Sequence, residues 1–157
     1  LIRKFFLVTE KNINENVLVY MKLFFNNLVR FIGEDFTPMS PVPSSEYPVN
    51  YCVSQGIKGD VTGTAHLDLP KDVAISFASR YANMDFNSFD EYVKASVEDF
   101  LNLHNGLFGV NISNEYSKEI YLDPPKTEET DLIELDSNSY VIPFVYPFGT
   151  IHLIITM

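Results

Sequence analysis

The chain has 157 residues, of which 46% are apolar, including 13 Phe and 9 Tyr. That length and apolar content suffice for one domain with a substantial core and argue against disorder. The 21 acidic and 11 basic residues give a formal net charge of −10, which disfavours nucleic acid and anionic membrane surfaces as partners.

A single cysteine, Cys52, leaves no partner for an internal disulfide, and no close His pair completes a zinc site. We therefore expect no metal or cofactor of the chain's own and a location in the reducing cytoplasm. No apolar run approaches the roughly 18 to 20 residues that span a bilayer, so we expect no membrane partner. The first residue is Leu1 rather than Met, which favours a single domain, residues 1–157, belonging to a longer chain.

The first predicted elements are a strand at residues 2–9 and a helix over residues 15–32. Asn14 is a suitable N-cap for this helix, and Gly33 a suitable end. Its apolar residues recur at helical spacing; they are Val17, Leu18, Met21, Phe24, Phe25, Leu28, Val29 and Ile32. Prolines crowd residues 34–49, which predicts a surface loop.

Two β-rich runs follow, at residues 49–55 and 58–69, and the glycines Gly56 and Gly59 between them predict a hairpin. Pro70 then begins a helix over residues 71–82. Ser88 is a candidate N-cap for a longer helix from residue 89 to about residue 110.

The last part of the chain contains an acidic, Thr-rich linker at residues 127–131 and two apolar runs, 140–146 and 149–155. The turn residues Pro147-Phe148-Gly149 between these runs predict two antiparallel strands. The order of elements predicts an α+β fold in which two long helices pack on an antiparallel sheet.

Common catalytic signatures are absent from the sequence: it has no Walker loop, nucleophile elbow, dinucleotide-binding glycine motif or HExxH pair. The three histidines are scattered. His66 and His152 lie in strand-like runs and are interpreted as ordinary sheet residues. His104, between apolar neighbours, is interpreted as a packed side chain without a catalytic role.

The most informative segment is the predicted helix around residues 95–109. Asp99, Asn102 and Gly106 stand at i, i+3 and i+7 and therefore share one helix face. A Gly inside a helix costs about 1 kcal/mol relative to Ala, and the close approach of a partner or a neighbouring helix would give a reason for Gly106. By pattern alone, Asp99, Asn102 and Asn105 are typical of a solvated polar face.

The segment Asp99-Phe100-Leu101-Asn102, followed by Gly106, resembles the signature of the CheX members of the CheC/CheX/FliY chemotaxis phosphatases. That signature is an acid, two residues, Asn, three residues and Gly, with a proline-containing segment further along. Asp123-Pro124-Pro125 matches the later segment. The glycine-rich run at residues 56–67 looks like the hairpin of the family, so the resemblance spans at least residues 51–125.

The resemblance implies a CheC/CheX-like fold and hydrolysis of the phosphoaspartate on a CheY-type receiver domain. It implies that Asn102 is a catalytic residue that positions the attacking water, and that Asp99 engages the active-site lysine of the receiver. Gly106 and Asp99 would lie in the partner-binding surface. The divalent metal would be bound by the receiver, and a homodimer is also implied.

Asp99 stands where the family usually has Glu, so its carboxylate is one methylene closer to the backbone. A misplacement of about 1 Å can cost about 100-fold in rate. Two functions therefore stay open from the sequence. The first is a phosphoaspartyl-protein phosphatase, weakened by this change; the alternative is a non-catalytic CheX-like dimerisation or docking module.

Overall fold

The structure is a computed structural model, and it describes residues 14–41 and 44–157. The helices in these residues are α1 (Glu15–Phe31), α2 (Lys71–Ala82) and α3 (Glu91–Tyr116). The strands are β1 (Thr37–Pro38), β2 (Glu46–Pro48), β3 (Tyr51–Gly59), β4 (Gly63–Leu69), β5 (Ile120–Leu122), β6 (Lys126–Thr127), β7 (Leu132–Glu134), β8 (Ser139–Tyr146) and β9 (Gly149–Thr156). The strand expected at residues 2–9 lies outside the described residues.

The main sheet has the strand order β1-β8-β9-β4-β3-β5, with β6 also paired to β3, and every pairing is antiparallel. Its register aligns Val53, Leu67 and Leu153 on one face, while Ser54 and His66 lie on the other. The predicted α+β fold with an antiparallel sheet is confirmed. The predicted C-terminal hairpin is β8 and β9, and β9 lies inside the sheet rather than at an edge.

The helices pack on one face of the sheet through a core rich in aromatic side chains. The ring of Phe24 in α1 lies 5.3 Å from that of Phe144 in β8 and 5.9 Å from that of Phe100 in α3. Phe77 of α2 lies 5.1 Å from Phe100, so all three helices meet at one buried ring. The two long predicted helices are α1 and α3, with 17 and 26 residues.

The start and end of α3 differ from the prediction. Asp90, not Ser88, is the N-cap, and its side chain accepts hydrogen bonds from the backbone N–H groups of Tyr92 and Val93. The helix also continues past the expected end near residue 110. Its later residues are poor helix formers, but Ile112 is buried and extends the apolar face.

The surface loop expected at residues 34–49 contains two short strands that the sequence did not indicate. Thr37–Pro38 forms β1 at the edge of the main sheet, and Glu46–Pro48 pairs with β7 in a separate two-stranded sheet. Proline is tolerated there because an edge strand has an outer side on which no N–H group is needed. The expected linker is also partly structured, since Thr127 belongs to β6 and the Glu128 N–H donates to the Cys52 carbonyl.

None of the helices in the described residues has the length and apolar character needed to cross a membrane.

Candidate functional site

Helix α3 presents Asp99 and Asn102 to solvent while the residues between them, Phe100 and Leu101, are buried. This follows from the helical period, which turns each residue by about 100° from the last. The packing of the apolar face against the sheet therefore determines that the Asp99 and Asn102 face points outward. The predicted exposure of these two side chains is confirmed.

Asp99 is held by a residue of the neighbouring helix. The hydroxyl of Tyr81 in α2 donates to Asp99 Oδ2 at 2.5 Å. Burial, and then this hydrogen bond, raise the pKa of Tyr81, so the phenol stays a donor. The remaining carboxylate oxygen, Oδ1, has no donor among the described residues and is free to meet a cation on a partner.

Asn102 is held by a residue of the sheet. Its side-chain carbonyl, Oδ1, accepts a hydrogen bond from Gln55 Nε2 of β3 at 2.7 Å. The amide N–H groups of Asn102 have no acceptor within the described part of the chain. The side chain therefore offers two donors and one unused lone pair to whatever lies outside.

The segment Asp123-Pro124-Pro125 passes directly beside this site. It separates β5, which pairs with β3 at Ile57, from β6, which pairs with β3 at Ser54. The Asp123 N–H donates to the Gly56 carbonyl at 3.0 Å, and the Asp123 carbonyl accepts from Gln55 Nε2 at 2.8 Å. A Cβ on Gly56 would lie 2.3 Å from Asp123 Oδ2, so a larger residue there would displace the Asp123 carboxylate, which pairs with Lys58.

Gly106 lies on the same side of α3, at the rim of an open cavity of about 400 Å³ between α3 and β5. A Cβ at Gly106 would meet no atom within 4 Å. The expectation that a neighbouring helix approaches Gly106 is therefore wrong for the described residues. The approach of a partner stays a prediction.

Three residues near the site were not recognised from the sequence. Tyr81 lies in the predicted helix at residues 71–82 and Gln55 in the predicted strand at residues 49–55. Neither belongs to a motif, so the sequence did not mark them as site residues. Asn105 was assigned to the solvated face, and this is wrong, since it is completely buried. Its spacing of three residues from Phe108 was the available signal that it belongs to the apolar face.

The histidines lie away from the exposed face. His104 is buried, as predicted; Asn27 Nδ2 lies 2.9 Å from its Nδ1, and burial lowers the pKa of His104 to about 3. His66 and His152 lie in β4 and β9, and burial lowers the pKa of each. Within residues 14–41 and 44–157, no group of three or more His, Cys, Asp and Glu side chains is placed to hold a metal ion.

No curated relative matches the sequence. Among solved structures, the fold is similar to that in the CheX–CheY–BeF3–Mg2+ complex from Borrelia burgdorferi, with 19% identity over 92% of this chain and 98% of that chain and a TM-score of 0.76. It is also similar to a CheC-like protein from Shewanella sp. PV-4, with 16% identity, coverages of 90% and 96%, and a TM-score of 0.74. For FliY from Thermotoga maritima the identity is 16%, the coverages are 87% and 84%, and the TM-score is 0.60.

The family model described as chemotaxis phosphatase CheX matches residues 51–149, which include β3, α3 and the proline segment. This match covers more than half of the chain, so the protein belongs to the CheX family of chemotaxis phosphatases.

Proposed function

We propose that this protein removes the phosphoryl group from the phosphoaspartate of a CheY-type receiver domain. The observation that carries the proposal is the paired exposure of Asp99 and Asn102 on one face of α3, each held at one polar atom by a residue of another element. The similar structure from Borrelia burgdorferi is a complex of CheX with CheY, BeF3 and Mg2+, which supports a receiver as partner.

Asn102 is the residue that positions water. In the reaction, water oxygen attacks phosphorus, the bond between phosphorus and the receiver's carboxylate oxygen breaks, and inorganic phosphate leaves. Such a reaction does not require covalent catalysis by the protein and depends mainly on in-line placement of the nucleophile. The unused donors and lone pair of Asn102 suit contacts to a water and to a phosphoryl oxygen.

Asp99 is the docking acid. Its free carboxylate oxygen can accept from the ammonium group of the receiver's active-site lysine, which would place Asn102 beside the phosphoryl group. The divalent metal of the reaction belongs to the receiver in this scheme.

The second candidate is a docking or dimerisation module without catalytic activity. The observation that favours it is the limited reach of Asp99. Its side chain is one methylene shorter than that of Glu, and the hydrogen bond from Tyr81 holds it toward α2. A homodimer is compatible with either function.

The test is the rate at which phosphorylated receiver domains lose phosphate, with and without this protein. We expect acceleration with at least one receiver, and we expect Asn102→Ala to lower it by about 100-fold, the scale on which misplaced groups act. Asn111→Ala is the matched control, since Asn111 lies on α3 outside the proposed contact face.

Receiver binding should be measured alongside the rate, by titration with the phosphorylated form. Binding without acceleration by wild type would support the docking module. Equal acceleration by wild type and Asn102→Ala would overturn the assignment of Asn102.

A further inference from the structure

A chain of hydrogen bonds runs from the core to Asn102 through three buried polar side chains. Tyr20 of α1 donates its hydroxyl to Asn105 Oδ1 at 2.5 Å, and Asn105 Nδ2 donates to Gln55 Oε1 at 2.8 Å. Gln55 Nε2 then donates to Asn102 Oδ1 at 2.7 Å. Tyr20 and Asn105 are 0% exposed and Gln55 is 1% exposed, so these bonds form away from water.

The direction of every bond in this chain is determined by one backbone group. The Asp123 carbonyl can only accept a hydrogen bond, and it lies 2.8 Å from the Gln55 amide nitrogen. Gln55 must therefore place its NH2 group toward Asp123 and Asn102, and its oxygen toward Asn105.

The remaining orientations follow in order. Since Gln55 presents its oxygen to Asn105, Asn105 must present its NH2 group to Gln55 and its own oxygen to the Tyr20 hydroxyl. Burial raises the pKa of Tyr20, so that hydroxyl is protonated and donates. At the other end, Asn102 must turn its oxygen inward, because a reversed amide would set its donors against the donors of Gln55.

We infer that Gln55, held by Asn105 and Tyr20, is a positioning residue that sets the orientation of the Asn102 amide. The inference rests on the proposed function for its effect on turnover, but the orientation itself is a property of the free protein. The outward direction of the Asn102 NH2 group is then decided before a receiver binds. Preorganisation of this kind raises the rate of the bound complex more than it raises affinity.

The experiment uses Gln55→Met, which keeps the length of the side chain but has no N–H donor. In the free protein, 15N relaxation of the Asn102 side-chain amide should show a rigid group in wild type and a mobile one in Gln55→Met. With phosphorylated receiver, kcat should fall roughly 10- to 100-fold. KM and the Kd for the receiver should stay within about twofold, because the docking acid Asp99 is held by Tyr81 and not by Gln55.

Ser54→Ala is the matched control. Ser54 is as buried as Gln55 and adjacent to it in β3, but it faces the other side of the sheet and bonds to Glu128. Its loss should leave the mobility of the Asn102 amide and kcat at their wild-type values. Tyr20→Phe is the substitute variant if Gln55→Met does not fold, because it keeps the packed ring and removes only the hydroxyl. It should increase the mobility of the Asn102 amide and lower kcat, each by less than Gln55→Met does.

An Asn102 amide that stays rigid in the folded variants overturns the inference, and so does an unchanged kcat in an active enzyme. If wild type accelerates no receiver, the proposed function fails, and the relaxation measurement alone decides whether Gln55 orients Asn102.

Discussion

Asp99 stands where the resemblance described above implies a Glu, and it is held by Tyr81 of the neighbouring helix. The tyrosine hydroxyl engages one carboxylate oxygen and sets the direction of a side chain that is already short. The reach of this carboxylate, shorter than that of Glu by one methylene, is therefore the feature on which the phosphatase and the docking-module hypotheses differ.

Replacing the acid tests that difference. Asp99→Glu extends the carboxylate toward the receiver, and we expect faster dephosphorylation, by up to about 100-fold if reach is what limits the rate. The rate of phosphate loss from a saturating phosphorylated receiver is the measurement. Asp72→Glu is the matched control, because it adds the same methylene to an exposed acid in the first turn of α2, more than two helical turns from Tyr81. A slower Asp99→Glu enzyme would show instead that the Tyr81 contact is the working geometry.

His104 makes stability depend on pH. Burial lowers the pKa of His104 to about 3, whereas the unfolded chain has the ordinary value of about 6.5. Between these values the unfolded state binds one more proton, so the free energy of unfolding falls by about 1.4 kcal/mol for each pH unit of acidification. Urea unfolding of wild type and His104→Phe from pH 5.5 to 4.5, where the unfolded histidine is almost fully protonated, should give slopes that differ by nearly this amount. Parallel slopes would contradict the assignment of a neutral, buried imidazole.

At the scale of elements, α3 connects the core to the exposed site. Its buried side packs against α1 and α2 through aromatic rings, while Gln55 of β3 bonds to Asn102 on its outer side and is itself bonded to the Asp123 carbonyl. Both Asp99 and Asn102 are therefore positioned by elements other than their own helix.

Gly106 in α3 gives a test that separates stability from binding. Because a Cβ there meets nothing within 4 Å, Gly106→Ala should stabilise the free protein by about 1 kcal/mol, the helix propensity difference. If a receiver approaches at this glycine, its affinity should fall although the fold is more stable. Thermal unfolding and receiver titration are the two measurements.

Gly109→Ala is the comparison, since its Cβ would lie 3.2 Å from the Ile120 side chain and the gain in stability should be smaller. An unchanged affinity in Gly106→Ala would remove Gly106 from the partner-binding surface.

For the whole molecule, the match to the family covers only residues 51–149, yet the core extends beyond both ends of it. Helix α1 supplies Phe24 to the centre of the core and Tyr20 to the buried hydrogen-bond chain. The functional fold therefore includes a segment that the family match leaves out.

Truncation of Phe24 measures that contribution. Phe24→Ala should lower the free energy of unfolding by about 3 to 5 kcal/mol, because it leaves a cavity between Phe100 and Phe144. Denaturant unfolding is the measurement, with Val29→Ala on the exposed side of α1 as the control. Equal stabilities of the two variants would show that α1 does not pack as described.

The sequence by itself determined the helices and the long strands, and their order. Helical spacing in residues 15–32, the start at Pro70 and the turn before Gly149 are local patterns, and the structure confirms the two helices and the C-terminal hairpin that they predict. The first predicted hairpin also forms, but its turn lies at residues 60–62 and not between Gly56 and Gly59, because β3 continues to Gly59. The resemblance at Asp99 and Asn102 also indicated the family, because its signature lies within one helix. Where a short strand depends on a distant partner, as at Thr37–Pro38 and Ile120–Leu122, the local pattern failed.

Only the tertiary structure decided what holds the site. Tyr81 lies 18 positions from Asp99, Gln55 lies 47 positions from Asn102, and Tyr20 lies 85 positions from Asn105. No periodicity links residues so far apart. Their contacts arise because burial of the apolar faces of α1 and α3 against the sheet brings these polar atoms together, and because a buried donor or acceptor must find a partner where water is excluded.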